Sequence, residues 1–279
     1  ETTVHFQAAE LVEMMFGQPL SIGERPNVPL GTPHLQLDDL TIADFRLSME
    51  KVSLEIAAGE VIGVAGLEGS GQRLLMQACG GLQGTRGGKL FVDGVDLTNK
   101  AYPRFVSAGV AFMPADRMTA GLVPGLSIEE HVALAQQRVK KRPSSSRIDW
   151  REVGKTAVEA IKQFNIKGPP PSTVESLSGG NQPRTLLALL PDDLRLLIME
   201  HPTRGLDVES ALYIWGKLLR RREQGTAIIY SSADLDEILQ YSDRIVVCYD
   251  GQVTAVVKTA ETSVTELGYL IAGKKADVA

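Results

Sequence analysis

Val61-Ile62-Gly63-Val64-Ala65 runs straight into Gly66-Leu67-Glu68-Gly69-Ser70-Gly71-Gln72-Arg73, and this junction decides the fold. The continuous apolar run predicts a strand covered on both faces, as at the centre of a parallel sheet. The glycines after it let backbone N–H groups turn inward, and the expected helix start adds partial positive charge. Strand, glycine loop and helix in that order are the context of a phosphate-binding loop. A tight strand–helix turn without a ligand is the other reading of the same residues. The side chains depart from the usual motif, which has Lys where Gln72 stands and Ser or Thr where Arg73 stands. That lysine neutralises the β and γ phosphates, and the hydroxyl holds magnesium. Gln72 donates a hydrogen bond without charge, whereas Arg73 carries charge but ligates no cation.

Around this junction the pattern is α/β. Val52-Ser53-Leu54-Glu55-Ile56 alternates like a strand, and residues 89–97 read as two short strands around Asp93-Gly94. Residues 115–180 are helical and more polar, with a basic, Ser-rich break at 140–146 and a stop at Pro169-Pro170-Pro171, as in a separate small helical lobe. Beyond it we expect a helix over 182–190, a strand from Leu194 to Met199, a helix over 208–222, a strand from Thr226 to Tyr230, a helix over 233–240 and a strand from Arg244 to Tyr249. Strands alternating with helices imply a mostly parallel sheet.

Composition excludes several classes of function. The 279 residues are 43% hydrophobic and 23% charged, ordinary for a globular protein. A net charge of −5 gives no electrostatic support for nucleic-acid binding, so no nucleic-acid partner is expected. No apolar run approaches the roughly 20 residues of a membrane helix. Cys79 and Cys248 sit in apolar stretches and read as buried thiols suited to a reducing cytosol.

The first residue is Glu1, not Met, so a piece of a longer chain is expected. The two ends also resemble each other. Glu1-Thr2-Thr3-Val4 with Glu10–Gly17, and Glu261-Thr262-Ser263-Val264 with Glu266–Gly273, both read as a short capped amphipathic helix closed by Gly. Chance similarity is one reading. The sharper one makes residues 1–20 the tail of a preceding homologous module, residues 21–35 a linker, 36–258 the main domain with its helical subdomain at about 115–180, and 259–279 a C-terminal helix and tail.

Four further motifs follow in order. Phe112-Met113-Pro114-Ala115-Asp116-Arg117 ends a strand. Leu177-Ser178-Gly179-Gly180-Asn181-Gln182 opens a helix, and alone would read as an ordinary N-cap. Leu196-Leu197-Ile198-Met199-Glu200-His201-Pro202-Thr203-Arg204-Gly205-Leu206-Asp207 is a buried strand with an acidic end and a turn. Ser231-Ser232-Ala233-Asp234-Leu235-Asp236 follows the next strand.

From about Leu35 to Val253 these residues resemble the ABC transporter ATPase family. The signature Leu177–Gln182 and the Pro202–Asp207 turn are the most specific elements. With Gly71-Gln72-Arg73 and Pro114-Ala115-Asp116-Arg117 they look like the second half of the tandem ATPases serving simple-sugar and nucleoside importers. Gln72 leans toward the nucleoside branch.

The resemblance implies a P-loop NTPase core of mostly parallel sheet, an antiparallel β edge and an inserted helical subdomain. It implies nucleotide contacts at Gly66, Glu68, Gly69, Ser70, Gly71, Gln72 and Arg73. Phe45 would stack on adenine, with core packing as the alternative. The family has Asp at Glu200, the catalytic Glu at His201, Gln at Ala115 and His at Ala233, so no catalytic position is intact. His201 is either a surrogate base or a drifted position. Arg73 and Glu200 face each other in this fold, and an ion pair between them could occupy the cation's place. ATP is the implied ligand, bound weakly or with a partner's help, and magnesium is in doubt.

The implied partners are a preceding ATPase half, whose site Ser178, Gly179 and Gly180 would complete, and permease subunits met by residues 115–180. Asp207 would lie at the half-to-half interface, and the chain would work at the inner face of the cell membrane. Two rivals stand beside this reading: a self-sufficient ATPase using His201 and Glu200, and an interaction module that binds no nucleotide.

Overall fold

The computed structural model describes residues 28–140 and 147–274. In chain order, β1 (Pro33–Ala43) and β2 (Ser48–Ala57) form a hairpin, and β3 (Val61–Gly66) leads through the glycine loop into α1 (Gln72–Cys79). β4 (Thr85–Val92), β5 (Val95–Asp96), α2 (Tyr102–Ser107) and β6 (Val110–Met113) follow. The helical segment holds a π-turn at Arg117–Gly121, α3 (Ile128–Lys140), α4 (Trp150–Gln163) and a 3-10 turn at Val174–Ser176. Then come α5 (Asn181–Ala188), β7 (Leu196–Glu200), α6 (Val208–Glu223), β8 (Ala227–Ser231), α7 (Leu235–Tyr241), β9 (Arg244–Tyr249), β10 (Gln252–Lys258) and α8 (Val264–Ile271).

The larger sheet has the order β10-β9-β3-β8-β7-β6, parallel throughout except for β10, which pairs antiparallel with β9. A second, antiparallel sheet has the order β2-β1-β4-β5. The expected mostly parallel core, antiparallel part and inserted helical subdomain are therefore all present.

The large sheet is apolar in continuous runs because both faces are covered. Val61, Leu197, Met199, Ile228, Tyr230, Ile245 and Val247 face α6, α7 and α8. Ile62, Val64, Leu196, Ile198, Ile229 and Val246 face α1 and the antiparallel sheet. Burying each large side chain completely contributes about 1.5–3 kcal/mol, so these two layers dominate stability. The helical segment has a small core of its own, Val132 and Ala133 of α3 against Val153 and Ala157 of α4.

Several boundaries differ from expectation. The expected linker ends earlier, because Pro33–Leu35 already belong to β1 and Leu35 is fully buried. Proline is tolerated at a strand's first position. The helix expected from 233 starts at Leu235, because the Asp234 carboxylate accepts from the N–H groups of Asp236 and Glu237 and sets the N-cap. The expected tail helix of residues 1–20, residues 21–27 of the linker, 141–146 of the basic break and the tail 275–279 lie outside the described residues. No helix among the described residues is long and apolar enough to cross a membrane.

Candidate functional site

The site gathers at the carboxyl ends of β3, β6, β7 and β8, where an open α/β sheet presents its loops. Gly69 and Gly71 have φ of +88° and +114°, a region that favours glycine. At Gly71 a Cβ would come within 2.7 Å of Met49 Sδ, so a side chain there would add a contact to displace on top of the unfavourable backbone angle. No side chain caps α1, which leaves its first-turn N–H groups available to an anion. Gly66, Glu68 and Ser70 complete the loop; Glu68 is exposed and Ser70 buried. Gln72 Nε2 donates to the Leu67 carbonyl at 3.0 Å, so this side chain ties the loop to itself.

Arg73, Glu200 and Ala115 meet here. Arg73 Nε lies 3.5 Å from Glu200 Oε1, within ion-pair range. Glu200 Oε2 accepts from the Ala115 N–H at 3.2 Å. Glu200 is only 7% exposed, and its Oε1 has no hydrogen-bond partner; the Arg73 contact is Coulombic at this separation. The donor set is one carboxylate oxygen with a guanidinium beside it, and neither Arg73 nor the Ala115 side chain supplies a lone pair. Among the described residues no group of three or more His, Cys, Asp and Glu could hold a metal ion. The residues at this position do not fit a divalent cation.

His201 sits next to Glu200 with φ of +47°, its N–H bonded to the Ser231 carbonyl at 2.9 Å. Burial, with the Arg204 charge as the second cause, holds its imidazole below the ordinary 6.5, against the pull of Glu200, Glu237 and Glu68. Ala233 is exposed just before the N-cap of α7 and brings no polar side chain to the site. Phe45 is 87% exposed at the β1–β2 turn, with the Arg46 guanidinium carbon 4.9 Å from its ring centroid. This overturns core packing as its role: the Asp44 carboxylate accepts from the Arg46 and Leu47 N–H groups and holds the turn out in solvent.

The signature forms a second surface. Leu177 is buried and anchors the loop, while Ser178 and Gly179 are exposed. Buried Asn181 donates to Ser178 Oγ at 2.8 Å and accepts from the Lys167 N–H at 2.9 Å, fixing the serine beside the start of α5. The Gln182 N–H reaches the Ser178 carbonyl at 3.3 Å. A Cβ at Gly180 would stand 2.9 Å from Ser210 Oγ, so the signature lies against the start of α6. Asp207 caps that helix, accepting from the Ser210 N–H at 2.8 Å, and this bond holds its carboxyl below the usual range. The signature loop and Asp207 thus share one region of the surface.

Two residues join these parts: Arg117, quoted in its motif without a role, and Glu237, which sequence reasoning missed. Arg117 Nη2 donates to the Arg204 carbonyl at 2.7 Å and reaches the Pro202 carbonyl at 3.5 Å. Buried Glu237 accepts from Thr203 Oγ1 at 2.5 Å, from Trp215 Nε1 at 2.6 Å and from Ser232 Oγ. The available signal for Glu237 was its place in the acidic first turn of α7, which also reads as simple helix-dipole complementarity.

Residues 49–204, more than half of the chain, match the family described as "ABC transporter". The nucleoside import ATP-binding protein NupA of Lactococcus lactis is 36% identical over 271 residues, covering 95% of this chain and 53% of the relative. The guanosine import ATP-binding protein NupO of Bacillus subtilis is 34% identical over 269 residues, covering 95% of this chain and 53% of the relative. The ribose import ATP-binding protein RbsA of Geobacillus kaustophilus is 34% identical, covering 89% and 50%. The chain thus spans about half the length of the curated relatives it matches. A solved structure titled "Structure of ATP binding subunit of ABC transporter" shares the fold with a TM-score of 0.70 at 20% identity, over 85% of this chain and 99% of that one. The strand–loop–helix junction, the acidic strand end and the signature surface are accounted for together: the chain belongs to the ABC transporter family.

Proposed function

We propose that this chain is the second ATPase half of an importer for simple sugars or nucleosides, and that it completes a partner half's ATP site while its own pocket is not built for hydrolysis. One contrast carries the reading. Ser178 and Gly179 of the signature are exposed, with Gly180 against the Ser210 that Asp207 caps, while Gln72, Arg73, Ala115, His201 and Ala233 stand where the resemblance puts the family's phosphate, metal and water-handling residues. The relatives named for nucleoside, guanosine and ribose import support the solute class, and the half-length match supports a tandem arrangement. ATP bound by the partner half would meet the Ser178 hydroxyl and the N–H groups at the start of α5.

The permease-facing surface belongs to the helical segment. Leu134, Ile148, Trp150 and Val158 each expose a large apolar side chain in this segment, which supports docking against a membrane subunit at the inner face of the membrane. One observation favours a rival. His201 is half-buried beside Glu200 with a lowered proton affinity, and a neutral imidazole can take a proton, as a self-sufficient ATPase would need.

The deciding experiment measures steady ATP hydrolysis by the chain alone and joined to an ATPase half with an intact Lys and Ser/Thr loop. We expect turnover only in the joined protein, and its loss by roughly tenfold or more with Ser178→Ala. Magnesium-dependent turnover by the chain alone, abolished by His201→Ala, overturns the proposal in favour of the rival. Joined turnover indifferent to Ser178→Ala and Gly179→Asp removes the partner-completion role.

A further inference from the structure

We infer that the phosphate loop takes a nucleoside triphosphate free of divalent metal, with the Arg73 guanidinium, anchored on Glu200, supplying the cation's charge. This deepens the reading above, since it concerns the ligand of the pocket that reading leaves without turnover.

Two independent features meet in the inference. The first is the uncapped start of α1 behind left-handed Gly69 and Gly71, an anion cradle made of backbone alone. The second is Glu200, more than nine-tenths buried, whose Oε1 has no hydrogen-bond partner and lies 3.5 Å from Arg73 Nε. A buried carboxylate oxygen left unsatisfied is costly, and the approach of the Arg73 cation offsets part of that cost.

In the family's usual arrangement that cation is a metal held by a hydroxyl and a carboxylate. Here the hydroxyl is replaced by a side chain that already carries the positive charge. Guanidinium cannot be deprotonated in a protein, so the charge is permanent. A divalent ion entering beside it would meet like-charge repulsion and find one carboxylate oxygen as ligand. A nucleotide without metal meets the opposite situation: its extra negative charge is drawn to Arg73.

The geometry leaves Arg73 free to do this. Its Nε faces Glu200, and its side chain is 79% exposed, so the terminal nitrogens remain open to phosphate oxygens in the forked arrangement that arginine makes. Gln72, folded onto the Leu67 carbonyl, adds no competing charge. Arg73 is a binding residue on this account, and Glu200 is a positioning residue that acts through it.

The test is calorimetric titration of the chain with ATP in EDTA and in excess magnesium. We expect the Kd in EDTA to be equal to or tighter than that in magnesium, with ADP weaker than ATP and AMP weakest. Arg73→Ala should weaken binding in EDTA by about tenfold, the loss of one charge-assisted contact to phosphate, and Arg73→Lys should recover part of it. Glu200→Gln should weaken binding by a smaller factor. Because Arg73→Ala leaves the buried Glu200 carboxylate without its cation, the unfolding midpoint of each variant is measured alongside, and Arg73→Lys, which keeps the charge, separates binding from folding. Binding at least tenfold tighter in magnesium, or an affinity unmoved by Arg73→Ala, overturns the inference. Absence of ATP binding at millimolar concentration in both buffers also overturns it, yet leaves partner completion intact, because that role is read from Ser178→Ala in the joined protein.

Discussion

Glu237 Oε1 accepts the Trp215 indole N–H at 2.6 Å and the Thr203 hydroxyl at 2.5 Å. One buried carboxylate therefore joins the turn after β7 to the middle of α6. With Ser232 on its other oxygen, it also holds the loop after β8. Trp215 is itself stacked on Tyr241 at 4.0 Å and edge-on to Tyr230 at 4.7 Å, so the carboxylate anchors an aromatic cluster under the site. Polar pinning of this kind sets loop position more sharply than apolar packing, because each donor has one satisfying direction.

Glu237→Ala should therefore destabilise the fold by about 2–4 kcal/mol, since it strands a buried indole N–H and two hydroxyls together. Glu237→Gln should cost less, because an amide oxygen still accepts from Trp215. Urea unfolding followed by tryptophan fluorescence checks both. Equal losses for the two variants would mean that charge, not acceptor geometry, is what the site uses.

Arg117 pins the same turn from its other side, through the Arg204 and Pro202 carbonyls. Arg117→Ala should cost only about 1 kcal/mol globally, because the guanidinium is partly solvated. Its local effect should be larger. The Arg204 N–H bonds His201 and the Leu206 N–H bonds Thr203, and both amides should exchange several-fold faster in the variant. Unchanged exchange at these two amides would show that Glu237 alone fixes the turn.

The contrast between these residues and the strands explains what was legible in the sequence. β3, β7, β8 and β9 were readable because strands buried on both faces are apolar without interruption, and the pattern is local. β1 was not. Asp39 adopts φ of +45° and the register slips between Leu37 and Leu40, so the alternation breaks in mid-strand, after a proline that reads as linker. The approach of Arg73 to Glu200 was legible despite a gap of 127 residues, because both lie in stretches that resemble motifs with known places in the fold. Glu237 belongs to no such motif. Its partners Thr203, Trp215 and Ser232 converge only after β7, α6 and β8 are assembled, so no local pattern announces it.

Cys79 and Cys248 should be silent toward thiol reagents in the native state. Both are buried, and desolvation pushes each thiol up to about 12. At pH 8 only about one thiol in ten thousand is thiolate, the reactive form. A chromogenic disulfide should therefore titrate no fast thiol in buffer and two in denaturant, matching the two cysteines of the sequence. A fast native thiol would place one cysteine in a region that opens locally.

His201 makes the fold weaker in acid. Its native imidazole binds a proton less readily than the ordinary 6.5, chiefly through burial, so the unfolded chain carries the proton first as pH falls. Stability linked to this group is then fully present above pH 6.5 and declines as pH drops from 6.5 through the lowered native value. His201→Asn removes the titration while tolerating the left-handed backbone at φ +47°. The stability of the wild type relative to this variant should be flat above pH 7 and fall as the pH drops below 6.5. The same backbone angle predicts a steric series. His201→Gly should lie within about 1 kcal/mol of wild type at pH 7.5, whereas His201→Val should lose about 1–2 kcal/mol, because a β-branched residue resists this conformation. Urea midpoints at constant m separate these small differences. If acidification instead favoured the wild type over His201→Asn, the pull of Glu200, Glu237 and Glu68 on the imidazole would outweigh its burial, and the ring would be a cation partner within the carboxylate cluster.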